Sequence, residues 1–158
     1  MELTQVIFSI AMTVVGSFWG YYLTRTLDKR SLPKIEASRR RAMEGHWVGE
    51  FHQQASLNRP ATTINIHLEI QAGRRQVTGK MWVEDNSKFE FKIQGAFYHN
   101  RYLRLNYTAF GESESAIDFG SLFLILGDFP KKMHGNLAGY GSLSETLIAG
   151  TLELTKQD

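Results

Sequence analysis

The order of apolar and polar residues divides the chain into an uncharged stretch, a charged connector and a region of alternating period. No residue from Leu3 to Thr24 is charged. After Gly45 the apolar residues recur at every second position, which is the pattern of half-buried β-strands. We therefore predict three segments: a transmembrane helix over residues 1–24, a basic and partly helical connector over 25–44, and a β-domain over 45–158.

The uncharged stretch has the length and the flanking charge of a retained membrane anchor. Its 22 residues would extend about 33 Å as a helix, against about 30 Å for the hydrocarbon core of a bilayer. Only Met1 and Glu2 precede it, so the basic start of a secretory signal peptide is missing. Seven basic and two acidic residues occupy positions 25–41. The positive-inside rule then predicts a single-pass protein whose C-terminal bulk lies in the cytoplasm.

Small residues form a stripe along one face of the predicted helix. Gly16 and Gly20 make a G-x-x-x-G pair, in line with Ser9 and Thr13. Such a stripe lets two helix backbones approach closely, although small residues are also common in membrane helices that do not pair. We expect homo-oligomer contacts at Gly16 and Gly20.

The connector is basic and is predicted to hold one short helix. Pro33 interrupts it, and Lys34–Glu44 has helical composition up to the terminating Gly45. The run Arg39-Arg40-Arg41 is typical of a juxtamembrane cluster attracted to anionic membrane lipid. A role in nucleic-acid binding is not expected, because the formal net charge of the whole chain is only +2.

The β-domain contains eight runs of period two, joined by short links with turn residues such as Asp85-Asn86 and His99-Asn100. Eight even strands with hairpin-length links predict an antiparallel meander. Closing the meander into an up-and-down barrel removes its exposed edges. The predicted runs are 46–54, 62–71, 75–84, 88–99, 101–110, 116–126, 132–142 and 145–155.

Alternation also predicts which residues face the barrel interior. Ile64, Ile66, Leu68 and Ile70 share one face of the second run, and Trp47 and Phe51 face inward from the first. Glycines share these inward faces at 79, 95 and 150. They either leave interior volume for a small ligand or mark places where strands bend sharply.

The sixth run is apolar on both faces. We predict that Leu122, Leu124 and Leu126 face outward and form a second oligomer interface, because an exposed apolar row needs cover. The alternatives are cover by the connector helix or by the membrane. Asp118, a lone carboxylate in this run, is also predicted to face outward.

The composition argues against catalysis and metal binding. The chain has no cysteine, which excludes disulfides, thiol catalysis and cysteine-ligated metal. Its five histidines lack metal-motif spacing, and no nucleophile elbow or phosphate-binding loop is present. We expect neither an enzyme nor a cofactor, with no catalytic or metal-binding residues.

Ligand binding is the function left to consider. At the barrel end far from the connector we predict a site made of Tyr107 and Tyr140 with Arg59 and Lys88. Aromatic faces beside cations suit stacked bases and phosphates. The alternative for each tyrosine is an amphipathic core or rim residue.

An N-terminal anchor, a basic connector and an eight-strand barrel that opens with G-x-W-x-G over residues 45–49 form a recognisable layout. It resembles the membrane-anchored, minimal lipocalin-like effectors of bacterial cyclic-oligonucleotide antiphage defence, the two-transmembrane β-strand-rich type of CBASS. This chain departs from them in supporting one membrane helix rather than two.

The resemblance implies an all-β, lipocalin-like barrel that binds a cyclic di- or oligonucleotide second messenger made by a partner nucleotidyltransferase. The membrane helices would then oligomerise and disrupt the bacterial inner membrane. The alternatives are a membrane-tethered, lipocalin-like carrier of an apolar small molecule and a scaffold barrel with a filled interior. A carrier needs a deep apolar pocket, whereas phosphate needs cations within the pocket.

Overall fold

A computed structural model describes Trp19, Thr24 and residues 32–56, 60–84, 86–110, 117–127, 131–141 and 146–157, with the backbone alone at 86–89, 110 and 117. The chain divides into two compact units, Met1–Leu32 and Pro33–Asp158. Within the part described, no helix is long and apolar enough to cross a membrane. The predicted anchor falls outside the described residues except at Trp19 and Thr24, and so do Gly16 and Gly20.

Eight antiparallel strands close into a barrel in sequence order, each paired with its neighbours in the chain and β1 paired with β8. This confirms the predicted all-β, up-and-down barrel, and every predicted run matches its strand to within two residues at each end. The strands are β1 Gly45–Gln53, β2 Thr62–Ala72, β3 Val77–Val83, β4 Asn86–Tyr98, β5 Tyr102–Phe110, β6 Ile117–Leu126, β7 Lys132–Gly141 and β8 Thr146–Lys156.

The predicted inward faces form the core. Trp47 pairs with Leu68 and Leu68 with Met81, so one inward row continues around the barrel, and all three side chains are buried. Each buried apolar side chain of this size contributes about 1.5–3 kcal/mol of transfer free energy. A β-carbon at Gly79 or Gly95 would fall on a backbone carbonyl of the neighbouring strand. These inward glycines therefore mark close backbone approach rather than spare volume.

The prediction for β6 is wrong. Leu122, Leu124 and Leu126 face inward and are at most 1% exposed, whereas Phe119 and Phe123 face outward and are 54% and 51% exposed. Because both faces of this strand are apolar, its own alternation does not determine which face turns inward. The register with β5 does, since Leu105 pairs with Leu122 and is itself buried.

A short helix closes one end of the barrel. Helix α1, Ala37–Met43, lies within the segment predicted as helical and presents Met43 as a fully buried residue. The indole nitrogen of Trp47 donates a hydrogen bond of 2.8 Å to the Met43 carbonyl oxygen. Gly45 connects helix and strand with φ of +123°, a backbone conformation that favours glycine. The tryptophan of the G-x-W-x-G element thus anchors the helix against the barrel.

Two further contacts hold the segment around α1 in place. The Ile35 amide donates to the Arg74 carbonyl at 2.8 Å. The Lys156 ammonium donates to the carbonyls of Arg41 and Ala42 at 3.1 and 3.0 Å, which satisfies carbonyls of the last helical turn. This end of the barrel is therefore closed by residues from both ends of the Pro33–Asp158 unit.

Candidate ligand-binding site

A cavity of about 130 Å³ lies at the barrel end opposite α1. The odd-numbered strands finish at this end and the even-numbered strands begin there, so each strand contributes its outermost inward positions. The lining is mainly apolar because those positions continue the inward parity of the core. Its apolar side chains are Phe51, Ile64, Ile66, Met81, Val83, Phe91, Leu137 and Ile148.

Four polar residues also line the cavity: Gln53, Tyr107, Asp118 and Tyr140. Gln53 is 5% exposed and follows Phe51 at the next inward position of β1. Asp118 lines the cavity from β6, which corrects the prediction that it faces outward. The same register that turns the β6 leucines inward carries this carboxylate inside. Gln53 was missed, although extending the Trp47–Phe51 parity by two residues identifies it.

Tyr107 forms part of the inner wall of the cavity. Its ring meets the Phe91 ring edge-on, with centroids 5.5 Å apart and planes at 90°. Its hydroxyl occupies the space beside Gly120 and Gly139, because a β-carbon at either position would collide with it. These two glycines pair across β6 and β7. The glycine pair therefore makes room for the tyrosine.

The Tyr107 hydroxyl remains neutral under ordinary conditions. Burial, and to a smaller extent the nearby Asp118 carboxylate, raise its pKa to about 12. Both effects disfavour the phenolate, burial by desolvation and Asp118 by like charge. At physiological pH the group is therefore a neutral hydroxyl, which can donate a hydrogen bond as well as accept one.

Tyr140 lies at the rim of the same cavity, on the outward parity of β7. It is half-buried, pairs with the outward-facing Phe119 across β6 and β7, and places its ring 6.0 Å from the Phe119 ring. The structure thus places two of the four predicted ligand residues, Tyr107 and Tyr140, at the same barrel end, the first facing inward and the second outward. Arg59 and the side chain of Lys88 lie outside the described residues.

Histidines form a separate cluster on the outer wall. His46 and His67 place ring nitrogens 3.1 Å apart, and the Trp82 ring lies 5.5 and 5.3 Å from them. In the described part of the chain, no group of three or more His, Asp or Glu side chains is arranged to hold a metal ion. The cluster lies on the exterior of β1–β3, on the parity opposite to that of the core.

Comparisons with known proteins show the fold and no more. No protein-family model matches the chain, and no curated protein matches it. The solved structure of EF1p2_mFAP2b bound to DFHBI is similar, with a TM-score of 0.52 and 12% identity over 77% of this chain and 100% of that one. A protein of unknown function of the DUF3598 family, from Nostoc punctiforme, has a TM-score of 0.45 and 9% identity over 79% and 50% of the two chains.

Proposed function

We propose that the barrel binds a small, largely apolar molecule in the cavity opposite α1, and that the uncharged N-terminal stretch tethers it to a membrane. The observation that carries the binding proposal is the cavity itself, an apolar concavity with a few convergent polar groups, which is the usual composition of a small-molecule site. EF1p2_mFAP2b, which shares the fold, is bound to DFHBI. That neighbour supports the idea that a barrel of this fold can bind a ligand.

The size of the cavity limits what enters it. An apolar cavity of roughly 150 Å³ accommodates benzene, so a volume of about 130 Å³ suits one ring or a short aliphatic segment. The remainder of a larger ligand would lie at the mouth, where Asp118 and Tyr140 stand. A neutral or cationic polar group is favoured there over an anionic one, because the Asp118 carboxylate repels negative charge.

A cyclic-nucleotide effector of antiphage defence is the second candidate. It is supported by the layout that this chain shares with such effectors and by the common location of Tyr107 and Tyr140. One base would enter the cavity, and the phosphates would lie outside it, towards the segments that carry Arg59 and Lys88. The partner nucleotidyltransferase, the oligomer and inner-membrane disruption belong to this second proposal.

The tether is proposed from the 22 uncharged residues Leu3–Thr24 and the basic flank that follows them. Full-length protein should sediment with membranes and resist carbonate extraction. A polypeptide of residues 33–158, which contains every strand of the barrel, should remain in the supernatant. Release of intact full-length protein by carbonate would contradict the tether.

Calorimetric titration of the 33–158 polypeptide tests the binding proposal. The panel comprises 2-phenylethanol, 2-phenylethylamine and phenylacetate, which differ mainly in charge, together with decanoate and a set of cyclic dinucleotides. We expect the neutral and cationic ring compounds to bind, and phenylacetate to bind more weakly. Binding of cyclic dinucleotides alone would favour the second candidate.

A matched pair of variants localises the binding. Ile148→Trp places a larger side chain in the cavity, whereas Leu147→Trp places the same side chain at a position that is 76% exposed. We expect the first variant to abolish binding and the second to leave it unchanged. Equal binding by both variants would show that the ligand does not use the cavity.

A further inference from the structure

The barrel end closed by α1 holds most of the positive charge of its unit. Fifteen Lys and Arg residues lie in positions 33–158, and ten of them lie in the segments that make this end: 34–41, 74–75, 101, 131–132 and 156. Glu36 and Glu44 are the acidic residues described there. Even when Asp128 and Asp158 are counted, the excess at this end is six positive charges, against +2 for the whole chain.

These segments are adjacent in space although they are far apart in sequence. Backbone hydrogen bonds join Ile35 to Arg74 at 2.8 Å, Leu126 to Arg101 at 3.0 Å, and Lys156 to Lys131 at 2.9 Å. The Asn100 amide donates to the Glu36 carboxylate at 3.0 Å, which links a turn to the start of α1. The cations therefore belong to one continuous surface.

The side chains of this surface point largely into solvent. Lys34, Arg41, Arg74, Arg101, Lys131 and Lys132 are all exposed. On the barrel wall, Lys80 forms an ion pair of 2.9 Å with Glu90, and Arg104 lies over the Phe123 ring. The unit is therefore electrostatically polarised along its axis, with a positive closed end.

We propose that the closed end docks electrostatically on an anionic lipid bilayer and thereby holds the ligand-binding end away from the membrane. Clustered Lys and Arg beside a membrane segment attract anionic headgroups within about a Debye length of the surface. The inference rests on the proposed tether but not on ligand binding.

A bilayer is a better partner for this surface than a nucleic acid, because only a short connector separates the surface from the proposed membrane tether. Residues 25–33 separate the uncharged stretch from the closed end, and nine residues span at most about 30 Å. With the proposed tether in a bilayer, a connector of this length would keep the closed end within reach of the membrane surface, and its sequence adds Arg25, Lys29 and Arg30 against the single acid Asp28. Positive charge is continuous from the predicted helix end to the barrel.

The test uses the full-length chain in vesicles of phosphatidylcholine alone or with 30% phosphatidylglycerol. Since the chain has no cysteine, a dye can be attached at one introduced site, either Gln157→Cys at the closed end or Gln54→Cys at the ligand-binding end. Energy transfer to an acceptor lipid headgroup reports the distance to the bilayer. Anionic lipid should increase transfer from position 157 and decrease it from position 54, and 0.5 M salt should remove the difference.

Two charge-reversal variants with the same net charge distinguish binding through this surface from the effect of the net charge of the protein. Arg74→Glu with Lys132→Glu should abolish the lipid dependence, whereas Lys80→Glu with Lys92→Glu, on the barrel wall, should leave at least half of it. Equal energy transfer in the two kinds of vesicle would overturn the docking proposal and leave the tether standing. The same would follow if both double variants lost the lipid dependence to the same extent. A chain that associates with neither vesicle would overturn the tether as well. Tighter binding to a single-stranded RNA through the same cations would overturn the lipid assignment.

Discussion

The buried hydroxyl of Tyr107 should make the barrel sensitive to alkaline pH. The folded protein holds the pKa of this group at about 12, against 10.0 for an exposed tyrosine. Between these two values the unfolded chain releases the proton while the folded chain retains it. The native state thus binds more protons than the unfolded state, so the free energy of unfolding falls as the pH rises through this window.

The size of the effect follows from the two pKa values. Each pKa unit between the folded and unfolded states corresponds to about 1.4 kcal/mol. At pH 11.5, release of this proton from the unfolded chain lowers the free energy of unfolding by about 2 kcal/mol. The contribution is fully present below pH 10. Solvent screens this effect only weakly, because Tyr107 is only 5% exposed. Several other tyrosines and lysines titrate in the same range, so the measurement must be a difference between two proteins.

Urea unfolding of residues 33–158 from pH 8 to pH 11.5, with Tyr107→Phe as the reference, isolates this contribution. The parent should lose about 2 kcal/mol relative to the variant across the range. Tyr107→Phe keeps the ring against Phe91 and removes the titrating hydroxyl. If the free energy of unfolding fell with pH to the same extent in both proteins, the placement of the hydroxyl between Gly120 and Gly139 would be refuted.

Four further substitutions, one of them a control, test other parts of the structure. Leu124→Glu should lower the free energy of unfolding in urea by at least about 3 kcal/mol or prevent folding, because it buries an unpaired charge. Its control, Phe123→Glu on the outward face, should change that free energy by less than about 1 kcal/mol. A larger loss in Phe123→Glu than in Leu124→Glu would indicate that the leucines face outward after all. Gly139→Ala should cost about 1–3 kcal/mol, since its β-carbon would fall on the Tyr107 hydroxyl, and an unchanged unfolding midpoint would contradict that contact. Asp118→Asn should raise the affinity for phenylacetate and lower that for 2-phenylethylamine, each by roughly fivefold in calorimetry; no change would remove Asp118 from the binding site.

The strand pattern could be predicted because the period of two reflects burial on one face, which is a local property of the chain. In β2, for example, Ile66, Leu68 and Ile70 alternate with polar residues and are all buried. In β6 the same alternation rule cannot identify the inward face, since the residues of both faces are apolar. The face that turns inward there depends on pairing with Leu105 of β5, a relation that no local pattern contains.

The candidate site could be predicted only in part for the same reason. Tyr107 and Tyr140 were identified because alternation and turn position place them at one barrel end. Asp118 was assigned to the wrong face together with the rest of β6. Gln53 was overlooked because a polar residue at the end of a strand usually reaches solvent, whereas here it is buried. The contribution of Trp47 to closing the opposite end depends on its contact with Met43.

Methyl-detected NMR titration of residues 33–158 with 2-phenylethanol would show whether the cavity opposite α1 holds a ligand. Met81 and Ile148 line the cavity, whereas Met43, the last residue of α1, is buried at the other end of the barrel. We expect saturable shifts of the Met81 and Ile148 methyl signals, with intermolecular contacts to the ring of 2-phenylethanol, and no shift of the Met43 methyl signal. Contacts confined to Met43, or no saturable shift at Met81 and Ile148, would contradict binding in the cavity.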